Sequence, residues 1–325
     1  LWVFLSTKMF NLNFTICQMK KIKQFFQRTW HWIFITLCLI VIGISCYSEY
    51  HAQIEQEHVD REVSNGKLSN QQLHENGILV LCYHRVVNSH LFADKFALAL
   101  SNNDQLHEYS MPVDKLTYQI HYLKSHGVRI IPMATAIKLI KADKPLKHKY
   151  VVLTFDDVDA TLASNVYPLF KRLGNIPYTA FIVTSNTGRY DNGTRLATWR
   201  QLRKVLKSPN VTIGVHTNNM HYLIDNKPAL KYARNYPRFK KDYQKSEKII
   251  KAKTGHRTPY FAYPYGEGTN REQRYLADHG MITFSLDNGI VTPGYDLSQP
   301  LPRTMVDDHS WKDVIEKWVN TNATN

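Results

Sequence analysis

Acidic residues are missing from the first 47 positions of this 325-residue chain, although Asp and Glu together number 27 in the whole sequence. The same stretch contains basic residues at five positions, Lys8, Lys20, Lys21, Lys23 and Arg28. After them, residues 30–47 (WHWIFITLCLIVIGISCY) are almost entirely apolar. A basic, acid-free flank before an apolar run is typical of an export signal or a membrane anchor, and it argues against a buried core helix.

We expect residues 30–47 to form one transmembrane or signal-anchor helix, because about 18 apolar residues are close to the minimum for crossing a bilayer. No small-residue cleavage site follows the run, which continues into Ser48, Glu49 and Tyr50. The preferred interpretation is therefore an uncleaved, single-pass anchor in the cell membrane, with the chain from residue 48 onward outside. A secreted or cell-surface protein released by cleavage is the alternative.

Composition divides the chain on either side of the apolar run into three further segments. Residues 1–29 form the basic segment, and 1–18 precede a more natural start at Met19, so we interpret them as a gene-start artefact. Residues 48–75 are polar with few large apolar groups, which is typical of a linker. The chain as a whole is 43% hydrophobic and 21% charged, as in ordinary globular proteins, so residues 76–325 are expected to form one folded domain.

Cysteine is also scarce. Three of the four cysteines lie in or before the apolar run, and only Cys82 lies in the predicted domain, which excludes an internal disulfide framework. Glycine-rich phosphate loops and zinc-finger spacings are absent, so the net charge of +14 does not by itself indicate nucleic-acid binding. Outside the membrane, anionic polymers of the cell envelope are the partners that such a charge would suit.

From Gly77 onward, apolar runs alternate with amphipathic segments. The runs Ile78–Tyr83 and 150–157 are rich in apolar, β-branched and aromatic residues up to their last positions, which is typical of strands buried on both faces. Segments such as 113–126 and 238–253 place apolar residues at helical spacing. This alternation over about 250 residues predicts a parallel α/β architecture, either a barrel or a doubly wound sheet.

Two adjacent carboxylates, Asp156 and Asp157, end the run that starts at Tyr150. Catalytic groups of α/β folds collect at the carboxyl ends of strands. Neighbouring strand residues point to opposite faces, so a turn is needed before both carboxylates reach one site. A strand followed by an ordinary Asp helix cap is the simpler alternative.

Two histidines, His216 and His221, follow the predicted strand Val211–Val215. On a continuous helix they would lie about 140° apart, so they converge only if the strand end turns before a helix begins. Two neutral imidazoles and one carboxylate are a typical ligand set for a hydrolytic metal ion. With two carboxylates available, one can bind the metal while the other remains a base for water. Ordinary surface or core histidines are the alternative.

The third motif is F-A-Y-P-Y-G, residues 261–266. Pro264 favours a rigid turn and Gly266 permits a tight one, so the N–H of Tyr265 can be held in a fixed direction. A fixed backbone donor is what a tetrahedral oxyanion requires. A plain Pro-Gly turn without chemistry is the alternative.

Together the motifs T-F-D-D, H-T-x-x-x-H and F-A-Y-P-Y-G resemble, in order, those of the polysaccharide deacetylases (carbohydrate esterase family 4, the NodB-homology domain). The resemblance covers residues 77–305. It implies a distorted (β/α) barrel with fewer than eight strands, Asp156 as the base and the Tyr265 N–H as an oxyanion donor. It also implies one divalent metal ion, zinc or alternatively cobalt, nickel or iron(II). The implied metal ligands are Asp157, His216 and His221.

Three departures from the common family pattern are similar to the branch that deacetylates poly-β-1,6-N-acetylglucosamine. The histidines are five residues apart instead of four, Ala262 replaces an Arg, and no L-x-H motif follows Gly266. In that branch the general acid comes from an amino-terminal Y-H motif, matched here by His84 after Tyr83. Arg303 is interpreted as the source of the missing positive charge beside the base.

The expected function is therefore N-deacetylation of this exopolysaccharide at the cell surface, in support of biofilm formation or adhesion. Deacetylation of peptidoglycan, chitooligosaccharides or xylan is the nearest alternative, since it uses the same chemistry. A catalytically silent glycan-binding module is an alternative of another class, and retention of Asp156 argues against it. His309, in a polar run near the carboxyl end, is the alternative general acid to His84.

Overall fold

The computed structural model describes residues 30, 32–47, 67–88, 110–191, 194–225 and 227–323. Residues 32–47 are helical, with most of their side chains exposed. In the described part of the chain, no helix is both long and apolar enough to cross a bilayer. The basic segment 1–29 and most of the predicted linker lie outside the described residues.

The last part of the predicted linker, residues 67–75, is folded and contacts the domain. Leu68 is 7% exposed and belongs to the main hydrophobic core. Ser69 caps a short helix that begins at Asn70, and the Trp318 indole N–H donates to the Glu75 carbonyl at 3.1 Å. The linker prediction is wrong for these residues. The composition of the whole segment 48–75 is polar, but its last part contains one buried leucine and a capping box.

The central sheet is built entirely of parallel strands. Its members in chain order are Ile78–Tyr83 (β1), Arg129–Ile130 (β2), Tyr150–Phe155 (β3), Tyr178–Ile182 (β4), Val211–Val215 (β5), Tyr260–Ala262 (β6), Ile282–Phe284 (β7) and Thr304–Met305 (β8). Among the described residues, three two-stranded pairs lie outside it: Arg85–Val87 with Ser110–Pro112, Tyr190–Asp191 with Thr194–Arg195, and Leu223–Ile224 with Lys227–Pro228.

Helices connect the strands. The α-helices in the folded domain are Asn70–Leu73 (α1), Val113–Ser125 (α2), Met133–Ala142 (α3), Tyr167–Arg172 (α4), Trp199–Val205 (α5), Tyr236–Thr254 (α6), Asn270–Asp278 (α7), Asp308–Ser310 (α8) and Lys317–Asn320 (α9). Wider π-helical turns, Leu162–Val166 and Trp311–Glu316, precede α4 and α9, and short 3₁₀ turns occur at Ala229–Lys231, Ala233–Asn235 and Pro264–Gly266.

The sheet order is β7-β6-β5-β4-β3-β1-β8, and β2 pairs with the first residues of β3. A bridge between Phe284 and Leu301 places the segment that leads into β8 beside β7. This bridge brings the two edges of the sheet close together, so the sheet curves into a half-barrel of parallel strands. The expected parallel α/β architecture is confirmed. The expectation of fewer than eight strands is wrong, because the sheet has seven strands in a row and β2 is the eighth.

Strand alternation separates the core into two layers. Along β1, Leu79 and Leu81 pack in the large cluster under the helices, whereas Ile78 and Val80 pack in a smaller cluster inside the barrel. Because both layers are buried, the sequences of these strands are continuously apolar. The residue that follows β3, Asp156, continues this alternation into the barrel interior.

Gly214 in β5 tests how tightly the interior is packed. A Cβ at this position would overlap the Phe181 ring, which in turn lies 5.3 Å from the guanidinium of Arg303. We expect Gly214→Ala to lower the free energy of unfolding by about 1–3 kcal/mol, as overpacking does. Urea denaturation measures the loss. Adding Phe181→Leu should restore part of it, so strictly additive effects in the double variant would contradict the packing argument.

Candidate active site

A sharp turn after β3 brings the two carboxylates to one side of the sheet. Asp157 and Val158 have φ angles of 57° and 48°, in the left-handed region that residues with a Cβ rarely adopt. The Asp156 N–H still donates to the Tyr83 carbonyl at 2.8 Å, so the strand pairing continues up to the turn. The turn that the sequence required for Asp156 and Asp157 to share a site is therefore present.

Arg303 binds Asp156 with two parallel hydrogen bonds. Its Nη1 and Nη2 donate to the two carboxylate oxygens, each at 2.7 Å, and both side chains are almost completely buried. Nη1 also donates to Thr154 Oγ1 at 3.2 Å and Nε to the Ser285 carbonyl at 3.0 Å. Burial raises the pKa of Asp156, but the positive charge of Arg303 and its hydrogen bonds to the carboxylate outweigh this effect and hold the pKa well below its usual range. Asp156 is therefore an ionised, oriented carboxylate.

His216 is fixed at the end of β5. Its Nδ1–H donates to the Ala262 carbonyl at 2.8 Å, which leaves Nε2 facing the carboxylates. Nε2 lies 3.7 Å from Asp157 Oδ1 and 3.8 Å from Asp156 Oδ2. Burial lowers the pKa of His216 to about 4. The imidazole is therefore neutral at physiological pH, which is the form that binds a metal ion.

His221 reaches the site through a loop and not through the start of a helix. Residues 216–222 are irregular, Thr217 has a φ of 70°, and the chain continues into a short strand at Leu223. The expected strand-to-helix turn is wrong at this point. The loop nevertheless brings His221 Nε2 to 3.2 Å from Asp157 Oδ1, with the two imidazole rings 4.9 Å apart.

The donor atoms of Asp157, His216 and His221 all lie within 4.8 Å of one another. Two imidazole nitrogens and one carboxylate oxygen fit a divalent ion with open positions, as in hydrolytic zinc sites. A second set of donors, Cys82, His84 and Asp156, is equally close. There both oxygens of Asp156 already accept from Arg303, whose charge would oppose a cation, so the first set fits a metal ion better.

His84 follows β1 directly and lies close to Asp156. It is half-buried, and its ring is part of the donor set that contains Asp156. Burial lowers its pKa, while the charges of Asp157 and Asp156 oppose that shift. His309, in contrast, is exposed on α8. Of the two candidate acids, the structure therefore places His84 beside the carboxylates.

Tyr265 lies in a tight turn beside His221, one of the candidate metal ligands. Its φ and ψ are 57° and 17°, and its ring centroid is 4.7 Å from that of His221. Gly266 follows with a φ of 74°, and a Cβ there would approach the Leu286 backbone nitrogen to 2.6 Å. The turn expected from the motif is present, and the contact of Tyr265 with His221 is an addition that the sequence did not indicate.

One acidic residue next to the site escaped the sequence analysis. Asp242 lies on α6, and its two oxygens accept the N–H groups of Asn218 at 2.6 Å and Asn219 at 2.8 Å. These amides belong to the loop between the two histidines. A signal was available, because Asp242 occupies the apolar face of a mostly basic helix, next to the buried Tyr243.

Comparisons with known proteins show what this chain is similar to. A family model described as polysaccharide deacetylase matches residues 143–284. Proteins named poly-β-1,6-N-acetyl-D-glucosamine N-deacetylase are similar along most of the chain. The Staphylococcus aureus strain MRSA252 protein is 26% identical over 288 residues, which are 88% of this chain and 95% of that protein. The Staphylococcus epidermidis protein is 27% identical over 290 residues, which are 88% and 96%.

Solved structures show the same fold. The structure of IcaB from Ammonifex degensii has a TM-score of 0.67 and 27% identity, and it covers 76% of this chain and 98% of its own. A de-N-acetylase from Aggregatibacter actinomycetemcomitans has a TM-score of 0.62 at 24% identity, covering 74% and 99%. The family match includes Asp156, Asp157 and both histidines, whereas His84 and Arg303 lie outside its limits.

The donor set predicts one bound divalent ion per chain. We expect His216→Ala and His221→Ala each to lose most of the metal, because each variant removes one of three ligands. Elemental analysis of the purified chain measures this, and His309→Ala is the matched control because that histidine is exposed on α8. Full retention of the metal by both ligand variants would exclude the site.

Proposed function

We propose that this chain is a polysaccharide deacetylase, an enzyme that hydrolyses amide bonds, and that its substrate is poly-β-1,6-N-acetyl-D-glucosamine. The observation that carries the proposal is the similarity to enzymes of that name over 88% of the chain. The reaction is proposed to be metal-dependent N-deacetylation at the cell surface. Its product, a partly deacetylated polymer, would support biofilm formation or adhesion.

Asp156 is the proposed base. Arg303 keeps its carboxylate ionised and fixes both oxygens in one orientation, so the remaining lone pairs can accept a proton from water. A divalent ion held by Asp157, His216 and His221 would act as a Lewis acid, which polarises the acetamide carbonyl and makes water more acidic. The Tyr265 N–H is the proposed second donor to the oxyanion.

His84 is the proposed general acid. An amide nitrogen leaves as an amine only if it receives a proton while the carbon–nitrogen bond breaks. Asp156 must be ionised at the start of the reaction, so a second group has to supply that proton, and a histidine titrates in the right range. The nearness of His84 to Asp156 supports this role, and the exposure of His309 disfavours the alternative.

Position in the cell is part of the proposal. The helical and apolar residues 32–47, after a basic segment, support a membrane anchor that holds the domain 76–325 on the outer face. Cleavage in this region would give a secreted enzyme with the same domain. The exposed lysines of α6, among them Lys241 and Lys245, would suit contact with anionic polymers of the envelope.

A silent glycan-binding module is the less favoured alternative. Binding a metal ion or a glycan does not require Asp156, since three other donors form the metal set. The buried ion pair between Asp156 and Arg303 costs desolvation energy, and it supplies what a base needs, namely a fixed and ionised carboxylate. These features support an enzyme.

The role of His84 has a kinetic signature. We expect His84→Ala to lower turnover about 10²–10⁴-fold, because the leaving amine loses its proton donor. The alkaline limb of the pH–rate profile should disappear, since that limb reports deprotonation of the acid. Metal content should stay unchanged. Near-normal rates in His84→Ala together with a large loss in His309→Ala would reverse the assignment.

The substrate is tested with defined oligomers. We expect acetate release from β-1,6-linked N-acetylglucosamine oligomers to exceed that from β-1,4-linked ones of equal length. Asp156→Asn, which removes the base, serves as the inactive control and should release acetate from neither. Faster release from the β-1,4 series would assign the chain to the peptidoglycan or chitooligosaccharide deacetylases instead.

A further inference from the structure

The loop between the two histidines has little structure of its own. Residues 216–222 contain neither a helix nor a strand, and Thr217 is held in the left-handed region with a φ of 70°. Such a conformation in a β-branched residue persists only where the surroundings hold it. The loop must therefore be fixed by contacts with the rest of the domain.

One side of the loop is fixed to the end of β4. The Thr184 N–H donates to the Thr217 carbonyl at 3.2 Å, and the Ser185 N–H donates to the Asn218 carbonyl at 3.0 Å. The Thr184 hydroxyl also donates to the Asn218 side-chain oxygen at 3.1 Å. These bonds hold the carbonyl groups of the loop and leave the adjacent N–H groups directed elsewhere.

On the other side, Asp242 accepts hydrogen bonds from the backbone of the loop. Each of its oxygens accepts one loop amide, from Asn218 and from Asn219, at 2.6 and 2.8 Å. Hydrogen bonds to an ionised carboxylate are stronger than those to a neutral acceptor. Asp242 is 8% exposed on α6, a helix of 19 residues anchored in the core by Phe239 and Tyr243. The carboxylate therefore connects the loop to a rigid element.

The two histidines depend on this loop to different extents. His216 continues β5 and has its own hydrogen bond to the Ala262 carbonyl. His221 lies at the far end of the loop, and its ring is the more exposed of the two. Its distance of 3.2 Å to Asp157 is consequently set by the path of the loop. Loosening residues 218 and 219 should displace His221 first.

We propose that Asp242 is a positioning residue for the metal site, which it serves by fixing the loop that carries His221. The inference rests on the proposed function, since it assumes that Asp157, His216 and His221 bind the ion. It also accounts for the five-residue spacing, because two adjacent amides of the intervening loop fold onto a single carboxylate. Outer partners that orient metal ligands commonly change metal affinity about 10–100-fold.

The test compares Co²⁺ binding by the full chain and its variants, followed by visible absorption. Asp242→Asn replaces one acceptor oxygen with an amide group that cannot accept, so one loop N–H loses its partner. We expect a 10–100-fold weaker affinity for Co²⁺ and an altered spectrum. Activity should recover at high metal concentration, because the defect lies in ligand positioning. Asp242→Glu, which keeps both oxygens, should restore part of the affinity.

Glu247→Gln is the matched control, because it makes the same charge change on α6 at a residue that interacts with Tyr243. It should bind Co²⁺ like the wild type. If Asp242→Asn does not fold, Thr184→Val tests the opposite side of the same loop and should also weaken binding. The positioning role is overturned if the folded loop variant, Asp242→Asn or Thr184→Val, binds Co²⁺ with the affinity and the spectrum of the wild type. Failure of the wild-type chain to bind Co²⁺, or normal binding by His216→Ala, would instead overturn the metal site itself.

Discussion

The buried ion pair between Asp156 and Arg303 is the interaction on which the site depends. It joins residues 147 positions apart, and both side chains are almost fully removed from water. Removing two charges from water costs free energy. The ion pair offsets this cost only where its hydrogen bonds have good geometry and the remaining donors also have partners. The paired bonds of 2.7 Å and the further bonds to Thr154 and Ser285 meet that condition. Arg303 lies between Leu301, which contacts β7, and β8, which pairs with β1. The segment that connects the two edges of the sheet therefore also orients Asp156, the proposed base.

Three turns with strained backbone angles position the residues of the candidate site. Each of the three motifs contains a residue other than glycine in the left-handed region: Asp157 at 57°, Thr217 at 70° and Tyr265 at 57°. They follow β3, β5 and β6, which lie in one parallel sheet and end at the same edge. Such conformations cost about 1–3 kcal/mol each and are retained where the surroundings determine them. Here the surroundings include the ion pair of Asp156, the carboxylate of Asp242 and the close contact of Gly266 with Leu286.

Much of the fold was predictable because its signals are local. The runs Ile78–Tyr83 and Tyr150–Phe155 are strands within the predicted limits, and the helical spacing after Val113 gives α2. Predictions failed where the outcome depends on distant partners. Leu68 is buried by the body of the domain, although its neighbours are polar. The loop after His216 does not become a helix, because its amides bind Asp242 and its carbonyls bind the end of β4.

For the site, the sequence alone determined which donors are present and that they follow strand ends: Asp156 and Asp157, the two histidines and the turn at Tyr265. Strand alternation and turn chemistry act over a few residues, so these features can be seen without a structure. The tertiary structure alone decided which carboxylate pairs with Arg303, that His84 and not His309 lies beside it, and that Asp242 holds the histidine loop. Those relations join residues that are tens to more than a hundred positions apart. They are set by the curvature of the whole sheet and by the packing of segments that are distant in sequence, which no local pattern encodes.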